Sequence, residues 1–257
     1  MLDLATLKKS YPANLQVFDR FIVKEYLQYK ILEAIFALDY GKKLCFLGGT
    51  ALRIIHGNAR FSEDLDFDNF GLTEASFADF IAEIKGRLEL EGYQVETRNV
   101  FKGAYRCYLK FPGLLNRLGL SGQEEEKVLI QIDTIKQDYS YEFSEFLLNK
   151  FDVFTKINTA PADILLAKKI GAAIGRKTLK GRDFFDVVFL FSLTSPNYDY
   201  LRVKDGIHNL AELKTRLLAV LDGVDLNDLA KDVGPFLFNP NELTRVTLFR
   251  DFVNQLR

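Results

Sequence analysis

Asp64 and Asp66 stand two positions apart in Asp64-Leu65-Asp66, a spacing that turns both side chains to one side of an extended chain. Two carboxylates a few ångströms apart repel and raise each other's pKa, and a divalent cation between them reverses that penalty. Upstream, Gly48-Gly49-Thr50 separates an apolar run from a short amphipathic segment. Glycine removes the side chain that would keep a phosphate from backbone amides, and a helix N-terminus favours negative charge. Asp133 is the third candidate, at the end of an alternating run whose other side is apolar. Each piece has an ordinary structural reading as well: Thr50 as a helix N-cap, Asp64 and Asp66 as a solvated strand face, Asp133 as a strand-end residue. Asp68 continues the same face and is read as solvated. The order carries more than any member: a glycine pair, thirteen residues between Thr50 and Asp64, the Asp-x-Asp, then a later strand with one more carboxylate.

Apolar periodicity predicts the elements that must position these groups. Residues 15–40 show three- and four-residue apolar steps and read as a helix stopped at Gly41. Residues 43–47 read as a buried strand, 51–56 as a short helix, 64–68 as a strand and 73–91 as a helix. Residues 93–101 and 105–111 read as a hairpin turning at Lys102-Gly103, 112–126 as a loop, and 127–135 as a strand with Gln131 and Asp133 opposite Val128, Ile130 and Ile132. A polar, aromatic connection follows. From Pro161 to Phe191 the pattern is helix, a break at 178–181, and helix again, with further helices at 210–221 and 241–256.

Composition narrows the chemistry. The 257 residues are 48% hydrophobic and 27% charged, as in ordinary globular chains. Thirty-four basic and thirty-five acidic residues leave a net charge of −1, which argues against a wholly basic nucleic-acid coat and leaves room for a local basic patch. Two cysteines make no disulfide framework and two histidines no histidine-rich zinc site, so a metal here must be held mainly by carboxylates, which favours magnesium or manganese. No apolar stretch is long enough to cross a bilayer and the first residues lack signal-peptide character, so a cytoplasmic protein is expected.

The segment Phe46-Leu47-Gly48-Gly49-Thr50-Ala51-Leu52-Arg53, followed by Arg60-Phe61-Ser62-Glu63-Asp64-Leu65-Asp66-Phe67, resembles the signature of the AbiEii/AbiGii toxin family, within the DNA polymerase β-like nucleotidyltransferase superfamily. A second block, Leu166-Ala167-Lys168-Lys169-Ile170-Gly171-Ala172 with Arg176 and Arg182-Asp183-Phe184-Phe185-Asp186, is similar to the family's lysine helix and Arg-Asp-x-x-Asp helix start. The resemblance spans roughly residues 44–190.

It implies an α+β fold: a polymerase β-like core with a mixed sheet over residues 1–155, then a helical C-terminal domain over 156–257. It further implies Mg²⁺- or Mn²⁺-dependent transfer of a nucleoside monophosphate from an NTP to a hydroxyl, with an RNA or tRNA 3′ end as the favoured acceptor and a cognate antitoxin protein as partner. Asp64, Asp66 and Asp133 would hold the metal, Asp133 also helping to deprotonate the hydroxyl. Gly48, Gly49 and Thr50 would cradle the phosphates. Lys169 would meet the leaving pyrophosphate, with neighbouring Lys168 the competing candidate, and Asp183 and Asp186 would orient that lysine or contact the nucleotide. Arg53 and Ser62 stand beside the phosphate loop as nucleotide contacts, and as plainly as a surface ion pair and a turn cap; Arg60 shares the first pair of readings. Arg176, Lys177, Lys180 and Arg182 form a docking patch for an RNA backbone or a solvated loop. Other acceptors, a protein or small-molecule hydroxyl, and a non-catalytic nucleotide-binding module are the competing functions.

Overall fold

The computed structural model describes residues 2–257. Its chain divides into two compact units, residues 1–51 with 62–159 and residues 52–61 with 160–257.

The first unit is α+β. After α1 (Leu4–Lys9), α2 (Asp19–Phe36) leads to β1 (Leu44–Leu47), the start of α3 (Gly48–His56), β2 (Leu65–Asn69) and α4 (Glu74–Leu90). Then come β3 (Glu96–Lys102), β4 (Ala104–Pro112), α5 (Leu114–Arg117), β5 (Lys127–Lys136), β6 (Ser144–Lys150) and β7 (Val153–Thr159). One seven-stranded sheet runs β3-β4-β5-β2-β1-β7-β6. It is mixed: β2 pairs antiparallel with β1 and parallel with β5, and β1 pairs parallel with β7. In β4 and β5, Cys107, Leu109, Val128, Ile130 and Ile132 are buried while their alternates are not, as a one-sided sheet requires. Helices cover the buried side. Phe77, Phe80, Ile81, Ile84 and Leu88 of α4 recur at helical spacing and pack towards β3 and β4, and α2 lies against β7 and α4. Thr73 and Ser76 close a capping box at the start of α4, satisfying amides that the helix leaves open.

The second unit is helical: α6 (Ala162–Gly175), α7 (Gly181–Phe191), α8 (Tyr198–Asp205), α9 (Leu210–Val220), α10 (Leu226–Lys231), α11 (Thr244–Thr247) and α12 (Phe249–Gln255). Gly181 lets α7 meet α10, since a Cβ there would lie 2.1 Å from the Leu229 carbonyl oxygen. The segment 52–61 is sewn into this unit through an antiparallel bridge between Arg60 and Leu237 and the bond from the Phe61 N–H to the Phe236 carbonyl.

Several expectations are corrected. The connection after β5 holds a hairpin, β6–β7, whose Leu147 and Phe154 are exposed, so no clean alternation announces it. Residues 112–126 contain α5, α8 and α10 emerge where no helix was expected, and the terminal helix is two, α11 and α12. Asp133 lies inside β5 and not at its end, because pairing with β2 and β4 extends that strand to Lys136. The sequence-based boundary at 155/156 compares with a division at 159/160 and with 52–61 joining the second unit. Among the described residues no helix is long and apolar enough to cross a membrane.

Candidate active site

Sheet register brings the first carboxylates together. Asp66 of β2 sits opposite Asp133 of β5, and on its other side opposite Leu47 of β1, the last residue before Gly48. A Cβ on Gly48 would lie 2.1 Å from the Asp66 carboxylate, so that carboxylate rests on the backbone where strand becomes helix. Gly48 has φ +81°, a conformation that side-chain-bearing residues avoid. Helix α3 begins here and not at residue 51, so the glycine pair forms its first turn, where amides lack intrahelical acceptors. The Thr50 hydroxyl is buried and donates to the carbonyl oxygen of Asp64, tying the helix to the strand entry.

Burial pushes the Asp64 carboxyl above its ordinary value, with neighbouring Glu63 and Asp133 adding to the effect and Lys24 opposing it. Asp133 is engaged on both oxygens, by Arg106 Nε on one and the Gln131 side-chain amide on the other. Composition and spacing did not single out Arg106 or Gln131; β4–β5 pairing sets Arg106 opposite Asp133. Asp68, expected in solvent, is buried and accepts hydrogen bonds from Gln137 and Tyr141, because the chain after β5 folds over it. Ser62 gives its carbonyl oxygen to the Gln28 amide.

The second block forms an ion cluster in the helical unit. Arg60 grips Asp186 with two bonds, Nε to Oδ1 at 2.8 Å and Nη2 to Oδ2 at 2.6 Å, and Asn58 donates to the same Oδ1 at 2.8 Å. Lys169 Nζ lies 2.8 Å from Asp186 and 3.3 Å from Asp183, whose other oxygen meets Arg176 Nε at 2.7 Å. Burial alone would raise the Asp186 carboxyl; Arg60 and Lys169 outweigh it and hold the group below its ordinary value. Burial likewise works against the Lys169 ammonium, and Asp186 and Asp183 raise it nonetheless. Arg60, expected at the surface, is buried because its carboxylate partner is.

The residues around the motifs carry the match beyond local spacing. A model of the nucleotidyl transferase AbiEii toxin family, of type IV toxin–antitoxin systems, matches residues 30–250. The chain belongs to the AbiEii family. It is a nucleotidyltransferase by that membership. Two solved structures share its fold: JHP933 from Helicobacter pylori, at 17% identity and TM-score 0.54 over 91% of this chain and 92% of that one, and an H. pylori protein described as a candidate nucleotidyltransferase, at 17% identity and TM-score 0.55 over 91% and 94%. A comparison with curated proteins gave no match.

Within this AbiEii chain the remaining candidates fall as follows. Asp183 and Asp186 are buried, and each pairs with Lys169. Lys168 turns the other way, its ammonium 5.4 Å from the Tyr200 ring. Arg53 stacks on Phe238 at 4.6 Å and Phe61 at 5.6 Å. In the basic segment Arg176 is drawn to Asp183, and Lys180 and Arg182 to Asp232, so most of its charge is spent inside the unit. Among the described residues no three His, Cys, Asp or Glu side chains group to hold a metal. Asp64 and Asp66 still offer the hard oxygen donors that magnesium takes, and magnesium is commonly held by one or two carboxylates together with substrate phosphates.

Proposed function

We propose that this AbiEii protein transfers a nucleoside monophosphate from a magnesium-bound NTP to the terminal hydroxyl of an RNA, tRNA being the favoured acceptor, in the cytoplasm and under the control of a cognate antitoxin protein. The observation that carries the reading is the Asp66 carboxylate seated on Gly48 at the start of α3 and level with Asp133. In this arrangement Asp64 and Asp66 would hold the cation, which when bound neutralises triphosphate charge and aligns the displacement. The open amides of Gly48 and Gly49 receive phosphate oxygens. Asp133 accepts the proton of the attacking hydroxyl while the new oxygen–phosphorus bond forms at the α-phosphate and pyrophosphate leaves. Arg106 and Gln131 set the direction of that carboxylate. The resemblance assigns Lys169 to the pyrophosphate, and its ion pairs with Asp183 and Asp186 would fix where its charge points.

The test is incubation with magnesium, each NTP labelled at its α-phosphate, and total tRNA, beside the Asp66→Ala variant. Label on RNA that disappears in the variant is expected. Label on the protein or on a small molecule would replace the acceptor and keep the chemistry. Full activity of folded Asp66→Ala would refute the mechanism.

A further inference from the structure

The side of the sheet that bears Asp66 and Asp133 continues outward over β5, β4 and β3. Register makes its rows explicit: one reads Val100, Arg106, Asp133, Asp66, and the next reads Arg98, Tyr108, Gln131. Beyond them, Lys102 pairs across from Ala104, and Lys110 stands between Glu96 and Leu129. Counting Lys127 at the start of β5, this side of the three strands carries five cations against the single carboxylate Glu96, before Asp133 is reached. The whole chain has net charge −1, so the concentration is local. Lys127 is paired with Glu96 and Arg106 with Asp133, whereas Arg98, Lys102 and Lys110 form no ion pair among the described residues. Arg98 and Lys102 are exposed, and Tyr108 is half-buried between rows of cations, beside half-exposed Leu129.

A basic strip with an aromatic ring on an open sheet suits a single-stranded polynucleotide, whose phosphates follow the cations and whose bases stack on rings. We infer that the open side of β3–β5 is the acceptor platform. A single-stranded RNA 3′ end lies across β3 and β4, with phosphates on Arg98, Lys102 and Lys110 and a base on Tyr108, and presents its terminal hydroxyl at Asp133 and Asp66. Neighbouring strands are about 4.8 Å apart, so β4 lies about 10 Å from Asp66 and β3 about 14 Å, the reach of the last nucleotides of a strand. This inference rests on the reading of transfer to RNA.

The experiment measures fluorescence anisotropy of a short labelled single-stranded oligoribonucleotide against the full chain carrying Asp66→Ala, across a salt series. Replacing Arg98, Lys102 and Lys110 by alanine is expected to make the slope of log affinity against log salt shallower by about 2, at about 0.7 per lost contact. Tyr108→Ala is expected to weaken binding about tenfold. Alanine at Lys42 and Lys85, in the same unit but outside these strands, should leave both readouts unchanged. Unchanged slope and affinity in the triple variant overturns the platform, as does equal loss in the Lys42/Lys85 control. Calorimetry of wild-type protein with magnesium and a non-hydrolysable NTP separates the two failures. NTP binding without RNA binding overturns the platform and leaves transfer standing, while absence of NTP binding overturns the transfer reading and the platform with it.

Discussion

Asp186 shows how a single buried charge depends on its partners. It is fully buried, and two cations and an amide converge on it. Such a cluster is weak evidence of net stability, because each charge had to leave water, but removing one member strands the others. Asp186→Asn is therefore expected to cost about 3–5 kcal/mol near neutral pH, measured by urea unfolding. The folded-state pKa of Asp186 lies below the ordinary aspartate value of 3.8, so its ionised form contributes stability above that value. That contribution is lost as pH falls through the lower folded pKa. The gap between wild type and variant should thus hold from neutral pH down to about 3.8 and narrow below it; a gap that stays unchanged as pH falls well below 3.8 would mean that charge is not what Asp186 supplies.

At the scale of elements, the junction of β1 and α3 joins fold to chemistry. Gly48 must turn the chain at positive φ and also leave room for Asp66 from the neighbouring strand. Gly48→Ala should destabilise the protein by at least about 1–2 kcal/mol from the left-handed backbone alone, with the clash added. In a double-mutant cycle with Asp66→Ala, the combined loss should fall short of the sum of the singles, because the Cβ no longer meets a carboxylate. Strict additivity in chemical denaturation would dissociate the two residues. The same junction was legible in advance as a strand, two glycines and a helix. Its three-residue earlier helix start was not, since that rests on the φ angle of one glycine. Hairpin β6–β7 carries no such local signal, because exposed Leu147 and Phe154 blur the two-residue period that marks β5.

Across the whole molecule, the two units are not consecutive in sequence. Residues 52–61 supply the helical unit with Asn58 and Arg60 for Asp186, with the bridge to Leu237, and with Phe61 against the Phe238 ring at 4.7 Å. A fragment of residues 160–257 would keep Asp186 and Lys169 but lose Arg60. It is expected to show no cooperative thermal transition by circular dichroism, and one carrying 52–61 through a flexible linker should regain it. A sharp transition of the bare fragment would show that the intercalated segment is dispensable. Sequence order alone puts the cut near residue 155, a few residues before the helical periodicity that begins at Pro161, and nothing local marks a short upstream segment as belonging to a distant unit.

Local chemistry and period were written in the chain: the apolar rhythm of α2, α4 and β5, the glycine pair, the Asp-x-Asp, and the paired motif blocks that pointed to the AbiEii family. Those signals are short-range, since helices repeat every three to four residues and strands every two. Which groups meet was left to the tertiary structure. Asp66 reaches Asp133 through a parallel pairing that spans sixty-seven positions, Arg106 comes alongside through the next strand, and Arg60 finds Asp186 across one hundred and twenty-six. Such partners leave no periodic trace, because their proximity is fixed by sheet order and helix packing and not by distance along the chain.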